Sequence, residues 1–400
     1  VNIQRLLLRI IELRSAHIDS PQSQEYIYAP HGESAREISG LQRQGRRSEL
    51  AIMDSQSTGT ITGSDSSVAA SPPFGYAHCI ATDAVQLSQQ AGEWNFEVSQ
   101  LTKGPLFAES RMLALDGVNI LHMTLNQTVL QRGFGPPNMV ALFIPHEDSA
   151  PAFAYGQRVE RGQCVSLVGA ELEGVTHAGY VESDLAFDMN ACRDQLEALN
   201  GGSMGVKFGT TIAAPGPEWI DDMTARVDWL LNAARENESG LSNPQLRRSL
   251  TDHLLASMVR FDPAPADIDS TTRTATASRR IAVRLAREYI HARLSEPLPL
   301  SELCLYSGLK VRTLETGFQE VTGLTPVAYI RALRLNSVRR ALHETSARQR
   351  PISDIALDNG FWHLSQFATD YRKLFGESPI NTRRRSRSAE ARDHVHQLTS

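Results

Sequence analysis

The apolar positions of this chain change period twice. From residue 74 to about residue 215 they come in short or alternating runs: Met112–Leu115, Val118–Leu125, Met139–Ile144 and Cys164–Gly169. Runs of this length, separated by turn residues, predict β-strands, and their spacing predicts a sandwich or small barrel. Asp116-Gly117 between two of them predicts a tight hairpin, because glycine accepts the positive φ that such a turn needs. The period then lengthens. Trp219–Ala234 and Pro244–Val259 have helical spacing, with Val227, Leu230 and Leu231 on one stripe and Leu246, Leu250 and Leu254 on the other. The Asp-, Pro- and Thr-rich stretch 262–278 predicts a linker. The expected organisation is a β-rich effector or dimerisation domain over 74–215, a helical extension over 216–261, the linker, an all-α domain over 279–387 and a polar tail over 388–400. Residues 1–73 offer little to bury and predict a poorly structured extension.

Within the helical domain one pattern occurs twice. In Leu300–Gly323, Ser301 is expected to cap a helix in which Leu303 and Cys304 face inward. Ser307-Gly308 ends that helix, and Leu309 plugs the junction. A second helix from about Val311 buries Leu314, Phe318 and Val321, which leaves Arg312, Glu315, Thr316 and Gln319 on the opposite face. In Ile352–Gly376, Ile355 and Ala356 face inward, Asn359-Gly360 turns the chain, and Phe361 fills the junction. The following helix buries Phe367, Tyr371 and Leu374, so that Ser365, Ala368, Thr369 and Arg372 look outward, with His363 at the leading edge. Between the units, Pro326–His343 predicts a continuous helix that sets the distance between them. Two helix-turn-helix units with polar, cationic outer faces suit two segments of the DNA major groove.

Charge supports this reading. The 400 residues carry a net charge of −5, but residues 279–387 hold nineteen Lys and Arg against ten Asp and Glu, while residues 1–278 hold twenty against thirty-three. A basic third joined to an acidic remainder is the footprint of a nucleic-acid-binding domain attached to something else. Arg372 and Lys373 beside a reader helix, and Arg383-Arg384-Arg385, are expected to meet phosphates. The final cluster would equally serve as a basic end that adds non-specific affinity.

The C-terminal third resembles the AraC/XylS family of regulators. The resemblance is carried by Gly323-Leu324-Thr325-Pro326 with Tyr329, the helix Arg331–Leu342, Ile355-Ala356, Gly360-Phe361, Ser365-Gln366-Phe367, Tyr371-Arg372-Lys373, Phe375-Gly376 and Ser378-Pro379. It implies that both reader helices enter successive major-groove segments on one DNA face. Arg312, Glu315 and Thr316 in the first unit, and Ser365, Ala368 and Thr369 in the second, would face the bases. Two residues depart from the pattern. Gly317 lies inside the first reader helix, where it costs about 1 kcal/mol relative to Ala. Glu315 repels phosphate but accepts from cytosine N4. The first unit is therefore expected to bind weakly or to read a C-containing step.

The same resemblance, in more diffuse form, extends to the β-rich part through Phe107–Leu125, Leu130-Gln131-Arg132-Gly133 and the Val159–Val168 pair, and implies a cupin-like effector domain. The fold class expected is thus α+β multidomain: a cupin-like barrel with a helical extension, then a double helix-turn-helix. His78, His122, His146 and His177 are isolated in sequence, and the lone HxH, His394 with His396, lies in the tail. No metal, cofactor or catalytic residue is expected, since an enzymatic cupin needs several imidazoles around its metal. Cys79, Cys164, Cys192 and Cys304 form no CxxC pair and read as reduced structural thiols; Cys164 is expected to pack in a strand. Asn200-Gly201-Gly202 reads as a turn, with no phosphate-binding fingerprint in the chain.

The partners expected are double-stranded DNA and no membrane, with RNA polymerase, a small-molecule effector and a second copy of the chain open beside them. The apolar stretch Leu6–Ile11 is broken by Arg9 and flanked by Arg5 and Glu12, too short and charged to span a bilayer, so a cytoplasmic location is expected. Val1 is not Met, and Met53 is the first methionine, so residues 1–52 are expected to lie upstream of the natural start. Two other classes stay open: a metal-dependent cupin enzyme carrying a DNA module, and an architectural DNA binder with little sequence preference.

Overall fold

Strands β3 (Ala108–Leu115) and β4 (Val118–Leu125) form the predicted hairpin, closing with Leu115 opposite Val118 and Gly117 at φ +82°. They sit in a seven-stranded antiparallel sheet in the order β1 (Gly75–Ala81), β3, β4, β11 (Tyr180–Asp188), β6 (Met139–Pro145), β9 (Cys164–Val168), β12 (Thr211–Ala213). A second, five-stranded sheet runs β2 (Asn95–Gln100), β5 (Val129–Phe134), β10 (Glu171–Thr176), β7 (Ala152–Ala154), β8 (Gln157–Val159), also antiparallel. Among the described residues no strand pair joins the two sheets. The computed structural model describes residues 74–92, 94–199, 208–258, 261, 273–344 and 350–387. The expected extension over 1–73, the Asn200–Gly202 turn and the tail with its two histidines fall wholly or largely outside these residues.

Strand alternation gives the five-stranded sheet two different cores. Val129, Leu172, Ala152 and Ala154 point at the seven-stranded sheet and pack with Met123, Leu125 and Leu167. Their sequence neighbours Leu130, Val175 and Phe153 point the other way, into a core shared with Val283, Phe318, Tyr329, Leu333 and Tyr371 of the helical domain. The sheet is therefore a middle layer. The far face of the seven-stranded sheet is covered by helix α3 (Pro217–Glu236), whose buried stripe Val227, Leu230 and Leu231 is the one read from the sequence. Helices α1 (Ala84–Gln90), α2 (Met189–Leu199) and α4 (Pro244–Met258) complete the β-rich part.

The helical domain opens with α5 (Arg273–Ala292), which begins inside the stretch expected as a linker. The first unit is α6 (Leu300–Ser307) and α7 (Val311–Thr322), and the second is α9 (Ile352–Asp358) and α10 (Leu364–Phe375). Helix α8 (Pro326–His343) joins them with the bounds the periodicity predicts. Thr325 caps it, its side chain accepting from the Ala328 amide, and Pro326 starts it where no amide partner is needed. Residues 379–387 are also helical. Ser301 does not cap α6: the helix starts one residue earlier, with Pro299 at the cap position and no side-chain cap.

Gly317 has a packing reason that periodicity does not reveal. A Cβ on it would lie 2.4 Å from Val283 Cγ2, so α5 crosses α7 at a point where only glycine fits. Cys164 is fully buried in β9, where burial pushes its thiol well up, and all four cysteines are free.

Candidate nucleic-acid interface

Both reader helices have the faces that their sequence stripes predict. In α7, Leu314, Phe318 and Val321 are buried, while Arg312, Thr316 and Gln319 are exposed and Glu315 is half-buried. In α10, Phe367, Tyr371 and Leu374 are buried, while Ser365, Ala368, Thr369, Arg372 and Lys373 are exposed. His363 is exposed at the cap position of α10. Arg312, Arg372 and Lys373 make no ion pair among the described residues, so each is available to an anion. Trp362 was not singled out from the sequence. It lies beside His363 and is 74% exposed, unusual for so large an aromatic. Its place between the turn at Gly360-Phe361 and the start of α10 was the available signal.

The two ends of each reader helix have different environments. Neither N-terminus carries a side-chain cap: Lys310 precedes α7 and His363 precedes α10, and both leave the first amides open. Each C-terminus closes on a left-handed glycine, Gly323 at φ +69° and Gly376 at φ +75°. In the turn before that glycine, each is held by the β-rich part. The Gly104 amide donates to the carbonyls of Lys373 and Leu374, and Gln100 Nε2 donates to Leu374 at 2.8 Å. His177 Nε2 lies 3.2 Å from the Val321 carbonyl oxygen of α7.

Helix α8 is fixed to the same sheet. Asn336 accepts from the Gln100 amide at 2.9 Å and donates to its carbonyl at 2.8 Å, extending the hydrogen bonding of edge strand β2 with a side chain. Arg339, 3% exposed, donates to Asp83 Oδ2 at 2.6 Å and to Glu377 at 2.8 Å. The same Asp83 oxygen lies 3.1 Å from both His343 and Arg385, while Oδ1 caps α1 by accepting from Val85. Burial pushes the Asp83 carboxyl up, but the His343 hydrogen bond and the Arg339 charge outweigh it and hold it well below the usual range. Arg385 is thus not a free end of the basic cluster, as its sequence position suggested, but part of this ion-pair network. A second buried pair, Arg287 with Glu173 of β10, ties α5 to the sheet.

The four histidines named from the sequence of the β-rich part separate into different roles. His78 pairs with Glu109 at 2.9 Å, and His177 meets α7. His122 and His146, isolated in sequence, come together with Asp228 of α3. That grouping was not visible in the sequence because its members come from β4, the end of β6 and a helix eighty residues later.

Residues 303–385 match the helix-turn-helix domain family. A 104-residue stretch is 38% identical to the XylDLEGF operon transcriptional activator of Pseudomonas putida, covering 26% of this chain and 32% of that protein. A 156-residue stretch is 31% identical to the transcriptional activator RhaR of Klebsiella pneumoniae, covering 39% of this chain and 51% of that one. The C-terminal part of the chain belongs to the AraC/XylS family. This part is the family's DNA-binding helix-turn-helix domain, and the family is one of transcription regulators rather than enzymes. A 202-residue stretch is also 26% identical to a probable thc operon regulatory protein of Rhodococcus erythropolis, covering 49% of this chain and 58% of that one. Among solved structures, a probable AraC family transcriptional regulator from Rhodopseudomonas palustris is 34% identical over 26% of this chain and 97% of its own, with a TM-score of 0.25. The chain thus spans between about a third and three fifths of the length of these curated relatives. No described helix is long and apolar enough to cross a membrane.

Proposed function

We propose that the chain is a sequence-specific transcriptional regulator that reads DNA with α7 and α10 in successive major-groove segments. One observation carries the reading: both reader helices are anchored at their C-termini and open at their N-terminal halves, the end from which recognition helices reach bases. In this reading Arg312, Glu315, Thr316 and Gln319 face one segment. His363, Ser365, Ala368 and Thr369 face the next, and Arg372 and Lys373 hold phosphates. Trp362 joins the second set as an apolar surface for a thymine methyl.

The β-rich part is the controlling domain, a cupin-like unit that responds to a small-molecule effector or a second copy of the chain. Its support is mechanical. The loop after β2 and His177 touch the two reader helices at their last turns, so movement of the sheet moves both readers. The regulator would work in the cytoplasm and, like the relatives named as transcriptional activators, activate transcription, with RNA polymerase as its protein partner.

The test is selection of bound duplexes from a random pool with the full chain, followed by competition of the selected duplex against a shuffled one at fixed salt. Preference of about 10³ or more is expected for a specific reader. Equal competition by the shuffled duplex would make the protein an architectural binder.

A further inference from the structure

We propose that His122, His146 and Asp228 form a binding site for one divalent transition-metal ion of the zinc class, placed between the seven-stranded sheet and α3. The inference does not depend on the DNA-reading proposal. The two imidazoles meet edge to face, with ring centroids 5.1 Å apart. His122 Nδ1 lies 3.3 Å from Asp228 Oδ1, and one ligand atom from each of the three residues lies within 4.8 Å of the others. Tetrahedral zinc with bonds of about 2.0–2.2 Å holds its ligands roughly 3.4 Å apart, so the set needs a contraction of up to about 1.4 Å. Two imidazoles and one carboxylate suit zinc, cobalt or nickel and not magnesium or calcium, which prefer all-oxygen shells.

Three features make this a built site rather than a chance meeting. Asp228 is held from outside by Arg111, which donates to Oδ1 at 3.2 Å and also to Asn232 at 3.1 Å. Ser183 Oγ lies 2.8 Å from His146 Nε2 and 3.5 Å from His122 Nδ1, a hydroxyl within reach of both rings. A cavity of about 290 Å³ leads to His146, and Glu147, Asp148 and Asp221 line it, giving a cation an acidic approach. The Arg111 charge opposes binding; Asp228 and Glu109 offset it. Because the donors come from β4, from the residue that follows β6 and from α3, an ion here would cross-link the helical extension to the sheet.

The test uses the full chain, stripped with a chelator and titrated with cobalt(II) and then zinc(II). One equivalent of cobalt should give the intense visible bands of a four-coordinate ion, zinc should displace it, and zinc should raise Tm. H146Q and D228N should each weaken cobalt binding at least tenfold while keeping the circular dichroism of the metal-free protein. A variant with His394→Gln and His396→Gln, the only HxH in the chain, should bind as the parent does. Absence of a one-equivalent site, or binding that survives H146Q and D228N but is lost in the tail variant, would overturn the proposal. Should D228N fail to fold, H146Q alone decides.

Discussion

Where the helical domain meets the sheet, Arg287 and Arg339 are 1% and 3% exposed, and each closes on a carboxylate of the β-rich part. Where it offers α7 and α10, Arg312, Arg372 and Lys373 are exposed and make no ion pair among the described residues. The same residue type on two faces of one domain thus serves opposite purposes. The buried cations have given up water and depend on partners within the protein; the exposed ones keep their water until an anion replaces it. A count of nineteen cations therefore overstates the charge available to DNA, since some of it is spent inside the protein.

The largest expected effect lies on the buried side. Asp83→Ala would leave Arg339 without its main partner and should cost about 3–5 kcal/mol in chemical denaturation, the range for breaking a buried pair. The pH dependence has a definite sign. The folded-state carboxyl is depressed, so its contribution is present above the unfolded pKa of about 3.9 and disappears as pH falls toward the folded value. The penalty of Asp83→Asn should stay level from pH 8 to 5 and shrink below about pH 4. A penalty that changes between pH 8 and 5 would mean that Asp83 is not held as described.

Next in size is Gly317→Ala. Intrinsic helix preference alone would favour it by about 1 kcal/mol, but the new methyl meets Val283 at 2.4 Å. Overpacking of this kind costs about 1–3 kcal/mol. The variant should be no more stable than the parent, and the double variant with Val283→Ala should recover the helix gain. A stabilised single variant would show that α5 and α7 are not in close contact.

Effects on the exposed side should be seen in binding instead. Arg372→Ala with Lys373→Ala should leave stability within about 0.5 kcal/mol and lower the salt dependence of DNA affinity by about one unit of slope per lost phosphate contact. Equal loss of stability and affinity would dissolve the contrast between the two faces. The smallest change is expected from Glu315→Gln. It should shift base preference at one position of the first segment, away from cytosine, and raise affinity slightly by removing repulsion from phosphate. Selection that returns an unchanged motif at unchanged affinity would remove Glu315 from the interface.

Elements governed by local rules were legible in the sequence. Helix α8 has the Thr325 cap, Pro326 start and apolar stripe that predict its bounds, and the β3–β4 hairpin follows from Asp116-Gly117. The outward stripes of α7 and α10 were legible because 3.6-residue periodicity leaves few alternatives. What escaped was long-range pairing. Nothing near Asp83 announces a partner 256 residues away, and a lone histidine on β4 does not reveal one just after β6. The two-sided burial of β5 and β10 escaped for the same reason: their outward residues Leu130 and Val175 meet a domain that comes much later in the chain. Gly317 looked like a weakness because propensity describes an isolated helix, whereas its role is set by a neighbour.

In the proposed function, two separate helices read two separate DNA segments. Duplex selection should be run on the full chain and on two variants, Arg312→Ala with Gln319→Ala, and Ser365→Ala with Arg372→Ala. The parent should enrich two short blocks about 10 bp apart, and each variant should lose a different block while keeping the other. If both variants lose the same block, or the parent enriches one block alone, the two-reader account is contradicted.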